Sequence, residues 1–274
     1  MEEIISLLSL GVVLLLTGSI AGVLAGLLGV GGGIVIVPVL YLLFPFVGVD
    51  ESVVMHLAVG TSLLTIIPTS IMSAKTHYNK GGLEVGLLKS LVPGIVLGVI
   101  LGIIISGQAN GKILTTTFGT IAFLVSVHMA FKKEGFYLAK KFPESQATRC
   151  PIGIFIGSIS VVMGIGGGTL SVPILSLYNV PIRKAVGTAS AIGIIIALPG
   201  SVGFILAGLN NPLLPSFSIG YANLLGFSLI VPATIITAPL GAKFAHTINP
   251  DLLRKAFAFF LFLTSVKMLF SVLG

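Results

Sequence analysis

The chain has 274 residues, of which 55% are hydrophobic and only 8% are charged, and its mean hydropathy is +1.14. A soluble domain carries roughly 25% charged residues, so this composition excludes a water-soluble surface and indicates an integral membrane protein. A single cysteine and 35 glycines without a triplet period argue against a disulfide scaffold and a collagen-like fibre. The net charge of +7 is spread over short loops, which favours orientation in a bilayer over binding to a nucleic acid.

Long apolar runs predict the membrane helices, because about 20 apolar residues are needed to cross about 30 Å of hydrocarbon. In chain order, the full-length candidates are residues 4–28, 52–74, 84–106, 112–131, 184–208, 217–240 and 252–272. The runs at 34–47, 150–163 and 169–180 are too short to span in the same way. No basic leader precedes the first run, so we expect that run to remain in the mature protein.

The sequence contains an internal repeat. GVGGGIVIVPVL at 29–40 corresponds to GIGGGTLSVPIL at 164–175, and AVGTS at 58–62 corresponds to AVGTA at 185–189. Val92-Pro93 with Gly102 corresponds in turn to Val231-Pro232 with Gly241. These matches predict a first membrane repeat at 1–131, a basic cytoplasmic linker at 132–149 and a second membrane repeat at 150–274.

Each repeat has about five helical segments, with short or broken helices at the glycine motifs. Because five is odd, a repeat that starts on one side of the membrane ends on the other, and its copy enters upside down. The predicted fold is therefore an all-α integral membrane protein with two inverted-topology repeats.

The basic residues predict the orientation, since lysine and arginine are retained on the cytoplasmic side. With both termini outside, 13 of the 15 basic residues are cytoplasmic. They are Lys75, Lys80, Lys89, Lys132, Lys133, Lys140, Lys141, Arg149, Arg183, Lys184, Lys243, Arg254 and Lys255. We therefore predict a multi-pass protein of the cell membrane with a cytoplasmic central loop.

The two glycine clusters are candidate binding elements. Consecutive glycines break a membrane helix and free backbone groups that hydrocarbon cannot satisfy. Each cluster precedes a short helix, whose first N–H groups and positive dipole end suit an anion. In an inverted repeat the two breaks approach each other, which predicts one anion site between two helix N-termini. Its candidate residues are Gly31, Gly32, Gly33 and Ile34 in the first half and Gly166, Gly167, Gly168 and Thr169 in the second.

Other glycines have a packing interpretation. The series Gly18, Gly22, Gly26 and Gly94, Gly98, Gly102 follow the GxxxG spacing that lets membrane helices approach closely. A dinucleotide-binding interpretation of GxGGG fails, because Ile34 or Thr169 stands where the third glycine belongs and no acidic residue follows at the required distance.

Four hydroxyl side chains extend the candidate site: Thr61, Ser62, Thr188 and Ser190. They lie near the starts of paired helices and could donate hydrogen bonds to an oxyanion. Equally, a buried serine or threonine often bonds to its own helix or joins neighbouring helices. Both interpretations stand at this point.

The chain lacks the residues of several other classes of site. No aspartate or glutamate lies deep in a predicted span, so the buried carboxylate of many proton and sodium relays is missing. His56 and His128 lie near an interface and His77 and His246 in basic loops, where we expect interfacial or solvated roles. No metal, cofactor or hydrolytic site is indicated.

At its repeated motifs the sequence resembles the TauE/SafE family of sulfite exporters, also described as sulfonate permeases. The resemblance rests on two copies of GxGGGxxxVPxL, on AVGTS and AVGTA, and on the late Val-Pro pairs. It implies a transporter of sulfur-containing anions such as sulfite or organosulfonates, and it leaves the particular anion and the direction of transport open.

The leading functional hypothesis is a secondary carrier of a small anion, working by alternating access around a midplane site. A channel-like anion pore is the alternative, and a membrane-embedded protein without transport activity is a third class. An enzyme is disfavoured by the missing catalytic pairs. The expected partners are a small anion and the lipid bilayer, and the sequence does not indicate an oligomeric state.

Overall fold

The computed structural model describes residues 2–29, 31–131, 139, 141–244 and 250–273. The helices of the first half are α1 (Glu2–Leu28), α2 (Gly33–Leu43), α3 (Glu51–Asn79), α4 (Val85–Gln108) and α5 (Gly111–Phe131), with a 3-10 turn at Phe44–Val47. Those of the second half are α6 (Gln146–Met163), α7 (Gly168–Leu177), α8 (Ile182–Gly208), α9 (Leu224–Phe244) and α10 (Pro250–Leu273). Strands β1 (Ser218–Ile219) and β2 (Ala222–Asn223) form a small antiparallel hairpin before α9.

The helices fit the predicted membrane spans. Within the described residues, α3, α4, α5, α8 and α9 are long and apolar enough to cross a membrane. Helices α1 and α10, with 27 and 24 residues, cover the predicted runs at 4–28 and 252–272. Leu97, Ile100 and Ile104 on α4 are each about half exposed, as lipid-facing side chains are. The all-α, multi-pass architecture is therefore as predicted.

Polar side chains set the starts of several helices. Asp50 caps α3 by accepting from the Ser52 N–H at 2.9 Å, and the Ser52 hydroxyl bonds the same carboxylate. These two bonds hold the pKa of Asp50 below its ordinary value. Ser145 caps α6 in the same way through the Ala147 N–H, so that α6 begins four residues inside the predicted linker.

One predicted boundary is wrong at its start. The run at 217–240 was expected to be helical throughout, but residues 218–223 form the hairpin and α9 begins only at Leu224. Phe217 and Gly220 have φ of +62° and +52°, which a right-handed helix cannot accommodate. The Asn223 side chain then accepts from the Gly226 N–H at 2.8 Å, a capping bond that starts α9.

Helices α3 and α8 form the centre of the bundle. In the most apolar stretch of α3, 78% of the residues are buried, against 50% in α8 and 28–33% in α4, α5 and α9. Near the start of α3, Gly60 lies beside Phe204 near the end of α8. Near the end of α3, Ser73 lies beside Ser190 near the start of α8. The two central helices, which occupy equivalent places in the two halves, therefore run antiparallel.

The outer helices pair across the two halves. Helix α1 packs against α9 and α4 packs against α6, so that the first helix of each half contacts the fourth helix of the other. Helices α5 and α10 also pack together, with the rings of Phe123 and Phe262 5.8 Å apart. Along this pair Gly119 faces Ser265 and Leu269 while Phe123 faces Phe262, so these helices also run antiparallel.

The predicted GxxxG contacts are present between α1 and α9 and between α4 and α6. A Cβ built on Gly18 would lie 2.5 Å from the Ile230 carbonyl oxygen, and one on Gly22 would lie 2.8 Å from the Thr234 Cα. On α4, a Cβ at Gly98 would lie 2.8 Å from the Ile154 Cα. Because no side chain fits in these gaps, the glycines set how closely the helix backbones approach.

We expect Gly22→Ala and Gly98→Ala to lower the yield of folded protein, because the added methyl group must separate two helices. Overpacking of this kind typically costs about 1–3 kcal/mol. The measurement is the monodisperse yield and the thermal midpoint of the purified protein. Gly86→Ala is the matched control on α4, since a Cβ there meets nothing within 4 Å. Equal losses in all three variants would contradict the packing role.

Candidate functional site

Both glycine clusters form breaks between a helix and a short helix, as predicted. In the first break Gly29, Gly31 and Gly32 have φ of +67°, +71° and +79°, and α2 follows at Gly33. In the second break Gly164 and Gly167 have φ of +66° and +73°, and α7 follows at Gly168. Residues with a side chain rarely adopt these angles, so glycine is required for the chain to turn here.

The two breaks are in contact with each other. A Cβ built on Gly31 would lie 3.1 Å from the Cα of Gly166, and one on Gly33 would lie 3.0 Å from the Cα of Ile165. The Cβ at Gly33 would also overlap the Gly164 carbonyl oxygen. The predicted approach of the two breaks is therefore present in the fold. Gly31–Gly33, Ile34, Gly166–Gly168 and Thr169 are all buried.

The N-termini of α2 and α7 begin at this junction. The Gly32 carbonyl accepts from the N–H groups of Val35 and Ile36, and the Gly167 carbonyl accepts from those of Leu170 and Ser171. The N–H groups of Gly33 and Ile34, and of Gly168 and Thr169, precede the first intrahelical bonds. Neither N-cap glycine has a side chain to satisfy them. Two positive helix ends are thus buried together, an arrangement that favours a negative charge.

Three buried hydroxyls around the breaks have no hydrogen-bond partner in the described part of the chain: Ser70, Ser160 and Thr169. The Ser70 Oγ lies 3.4 Å from a Cβ built on Gly31, and the Ser160 Oγ lies 3.8 Å from one built on Gly167. Thr169 is in the first turn of α7. Buried polar groups are nearly always bonded, so three unpartnered hydroxyls around one junction indicate a place for a polar ligand.

The side chains of Thr61 and Thr188 each accept a hydrogen bond from a loop in the other half of the chain. The Thr61 Oγ1 accepts from the Asn223 N–H at 2.9 Å, and the Thr188 Oγ1 accepts from the Glu84 N–H at 3.1 Å. Asn223 and Glu84 immediately precede the fourth helices of the two halves, α9 and α4. Each threonine therefore anchors the loop before the fourth helix of the opposite half. The hydrogen bonds of both threonine side chains are therefore made to these loops.

The neighbouring glycines complete these two anchors. A Cβ built on Gly60 would lie 2.9 Å from the Tyr221 carbonyl carbon, and one on Gly187 would lie 2.6 Å from the Gly82 carbonyl carbon. The Ala-Val-Gly-Thr motif thus supplies a close backbone approach and an acceptor oxygen at both places. The same packing contact is therefore made by both copies of the motif.

Ser62 and Ser190 lie closer to the junction. The Ser62 hydroxyl donates to the Gly164 carbonyl at 2.7 Å and so holds the second break against α3. Ser190 bonds the Val186 carbonyl and the Ser73 hydroxyl, each at 3.0 Å. Ser62 is in contact with a break, whereas Ser190 bonds its own helix and joins α8 to α3 through the Ser73 hydroxyl.

A stripe of hydroxyls along α3 was missed by the sequence reasoning. Thr65, Thr69, Ser70 and Ser73 are all buried, and Thr69 also donates to Thr234 on α9 at 2.8 Å. Their counterparts on α8 are Ile192, Ile196, Ala197 and Gly200. The spacing of three or four residues between these hydroxyls indicates that they share one face of α3. The equivalent face of α8 lacks them, so α3 carries the more polar face of the two central helices.

Two of the four histidines are buried, and His77 lies within α3 instead of in the expected basic loop. His56 and His77 are only 6% and 7% exposed. The His56 Nε2 lies 3.1 Å from the Ala109 carbonyl oxygen, and the His77 Nε2 lies 3.0 Å from that of Gly26. His128 is exposed, and His246 lies outside the described residues. Among the described residues, no group of three or more histidine, cysteine, aspartate or glutamate residues could hold a metal ion.

The family model described as sulfite exporter TauE/SafE matches residues 14–268. The chain belongs to the TauE/SafE family. A relative in Haemophilus influenzae, named a probable membrane transporter protein, is 35% identical over 93% of this chain and 96% of its own length. A probable membrane transporter protein of Methanocaldococcus jannaschii is 26% identical over 88% of both chains. No solved structure is a significant match.

Thr61→Val tests the anchoring role of the repeated motif. Valine keeps the shape of threonine but leaves the Asn223 N–H without its acceptor, which costs about 1–3 kcal/mol for a buried donor. We expect a lower thermal midpoint and unchanged anion affinity per folded molecule. Thr116→Val on α5, where the exposed hydroxyl bonds only its own helix, is the control. Normal stability with weakened anion binding would return Thr61 to the binding site.

Proposed function

We propose that this chain is a secondary transporter of small sulfur-containing anions, sulfite or organosulfonates, working by alternating access around the two glycine breaks. The observation that carries the proposal is the contact between the two breaks from which α2 and α7 begin, with the hydroxyls of Ser70, Ser160 and Thr169, unpartnered among the described residues, around it. Helix N-termini and hydroxyls all supply hydrogen-bond donors, which is what an oxyanion requires. Membership of the TauE/SafE family supports sulfur oxyanions as the class.

The proposed alternating access uses two inverted repeats. The antiparallel pairing of α3 with α8 and of α5 with α10 supports this arrangement, because an inverted copy reverses the direction of each equivalent helix. The reciprocal contacts of α1 with α9 and α4 with α6 support it as well. The breaks are buried, so substrate entry requires the helices around them to move apart first on one side and then on the other.

The chain also lacks a nucleotide-binding motif, so we assign the driving force to ion or substrate gradients. A channel-like pore is the competing mechanism. Flux in liposomes separates the two, because a carrier gives saturable exchange and a channel gives a large conductance. Absence of any flux of sulfite, thiosulfate, sulfoacetate or taurine would contradict the proposal.

Ser70→Ala tests the site without removing any bond of the resting protein, since the Ser70 hydroxyl has no partner. We expect unchanged or slightly higher stability and an affinity for the preferred anion lower by about 10- to 100-fold. That range corresponds to one hydrogen bond to a charged group, worth about 1.5–3 kcal/mol. The measurement is isothermal titration with sulfite, thiosulfate, sulfoacetate and taurine, with acetate as the carboxylate control.

Ser126→Ala is the matched control, because Ser126 on α5 is equally buried but bonds the Phe123 carbonyl of its own helix. Gly32→Ala and Gly167→Ala extend the test to the breaks themselves, where an added methyl group and the positive φ oppose the present backbone. Unchanged affinity in well-folded Ser70→Ala, Gly32→Ala and Gly167→Ala proteins would remove the proposed site. Binding of acetate, without binding of any of the four sulfur compounds, would contradict the assignment to sulfur-containing anions.

The proposed orientation has both termini outside and the central loop in the cytoplasm. Two single cysteines test it after Cys150→Ser: Phe46→Cys, at a turn where the side chain is 86% exposed, and Lys141→Cys in the linker. An impermeant thiol reagent applied to intact cells should label the first and spare the second. The reverse labelling pattern would invert the orientation.

A further inference from the structure

A second group of unpartnered polar atoms lies away from the glycine breaks, at one end of the bundle. It surrounds a crevice between the start of α3, the ends of α4 and α8, and the hairpin before α9. Its lining includes His56, Ile103, Ser106, Phe204, Ala207 and Tyr221. Among the residues that the structure describes, neither the buried His56 Nδ1 nor the buried Ser106 Oγ has a hydrogen-bond partner. His56 and Ser106 are 6% and 1% exposed.

The hydrogen bonds of His56 fix the state of its ring. Its Nε2 lies 3.3 Å from the Ser106 carbonyl oxygen and 3.1 Å from that of Ala109. Because a carbonyl oxygen only accepts, Nε2 must carry the hydrogen. In the neutral ring Nδ1 is then the nitrogen with a free lone pair. The ring of Tyr221 is stacked on the His56 ring, with the two ring centroids 4.8 Å apart.

The crevice is too narrow in this conformation to hold a water molecule. A proton added to Nδ1 would create a buried N–H donor and a positive charge with neither an acceptor nor water, which is costly. Opening of the crevice would admit water to Nδ1. The negative end of the α4 dipole, where the Ser106 and Ala109 carbonyls lie, favours the charged ring once it is hydrated. Protonation and opening therefore stabilise each other.

The charged groups near His56 lie at the exposed ends of the packed helices. Asp50 and Glu51 precede it on α3 and Lys112 starts α5, and all three are exposed. Tyr221 is the titratable side chain in ring contact with it. None of these residues is ion-paired with His56 in the described part of the chain.

We propose that His56 is a proton-binding site that couples protonation to opening of this end of the transporter. The Nδ1 lone pair takes a proton from water when the hairpin and the helix ends separate, and it returns the proton to water before they close. The crevice is thus a gate that acid opens and base closes. This inference concerns one end of the bundle, and its test does not depend on which anion the protein carries.

The test measures entry of an impermeant methanethiosulfonate into the crevice in purified protein, after Cys150→Ser. Ser106→Cys places a small thiol at the buried position. Gly86→Cys is the reference, because it is exposed on the same helix, lies outside the crevice lining, and a Cβ there meets nothing within 4 Å. The ratio of the two labelling rates removes the intrinsic pH dependence of thiol chemistry. We expect the ratio to rise as pH falls, by at most about tenfold per pH unit for a single proton.

His56→Gln supplies the decisive variant, since its side-chain NH2 can still donate to a carbonyl but does not titrate. We expect a ratio that no longer depends on pH, whereas His128→Gln, an exposed histidine on α5, should leave the pH dependence intact. His56→Met is the second non-titrating variant if the glutamine protein fails to fold. A flat ratio with His56 present, or a pH-dependent ratio without it, would overturn the proposal.

Discussion

The fold depends on one constraint, that a helix broken within the membrane must place its freed backbone groups against protein. Two breaks of identical pattern, at Gly29–Gly33 and Gly164–Gly168, satisfy this constraint by lying against each other. The Ser62 hydroxyl bonds the Gly164 carbonyl and so binds the second break to the central helix α3. The N-termini of α2 and α7 begin at these breaks, and the positive ends of the two helix dipoles favour a negative charge there.

The two halves are interlocked around this junction. The Thr61 and Thr188 oxygens each accept a backbone N–H from the loop that precedes the fourth helix of the opposite half. Glycines on α1 and α4 bring those helices against α9 and α6, again across the halves. Neither half therefore buries its own helices without the other.

The two copies differ in the hydroxyls of their central helices. Buried positions on α3 carry Thr65, Thr69, Ser70 and Ser73, whereas α8 carries isoleucine, alanine and glycine at the equivalent places. Ser160 and Thr169 add hydroxyls from the second half, where the first half has Ala25 and Ile34. The glycine breaks are thus present in both halves, while the buried hydroxyl side chains around them are distributed unequally between the halves.

The sequence alone determined the membrane class, the order of the helices, the duplication and the glycine breaks, because composition, run length and positive-φ glycines are local properties. It did not separate the threonines of the repeated motif from a binding site, because Asn223 and Glu84 are more than one hundred residues from their partners. The hairpin at 218–223 interrupted an apolar run that predicted helix, since its turn is held by contacts with α8 and α3. Two features followed only from the tertiary structure: the set of buried hydroxyls without partners, and the burial of His56 against the end of α4. Both depend on how helices distant in sequence pack, because that packing sets the hydrogen-bond partners of each buried polar atom.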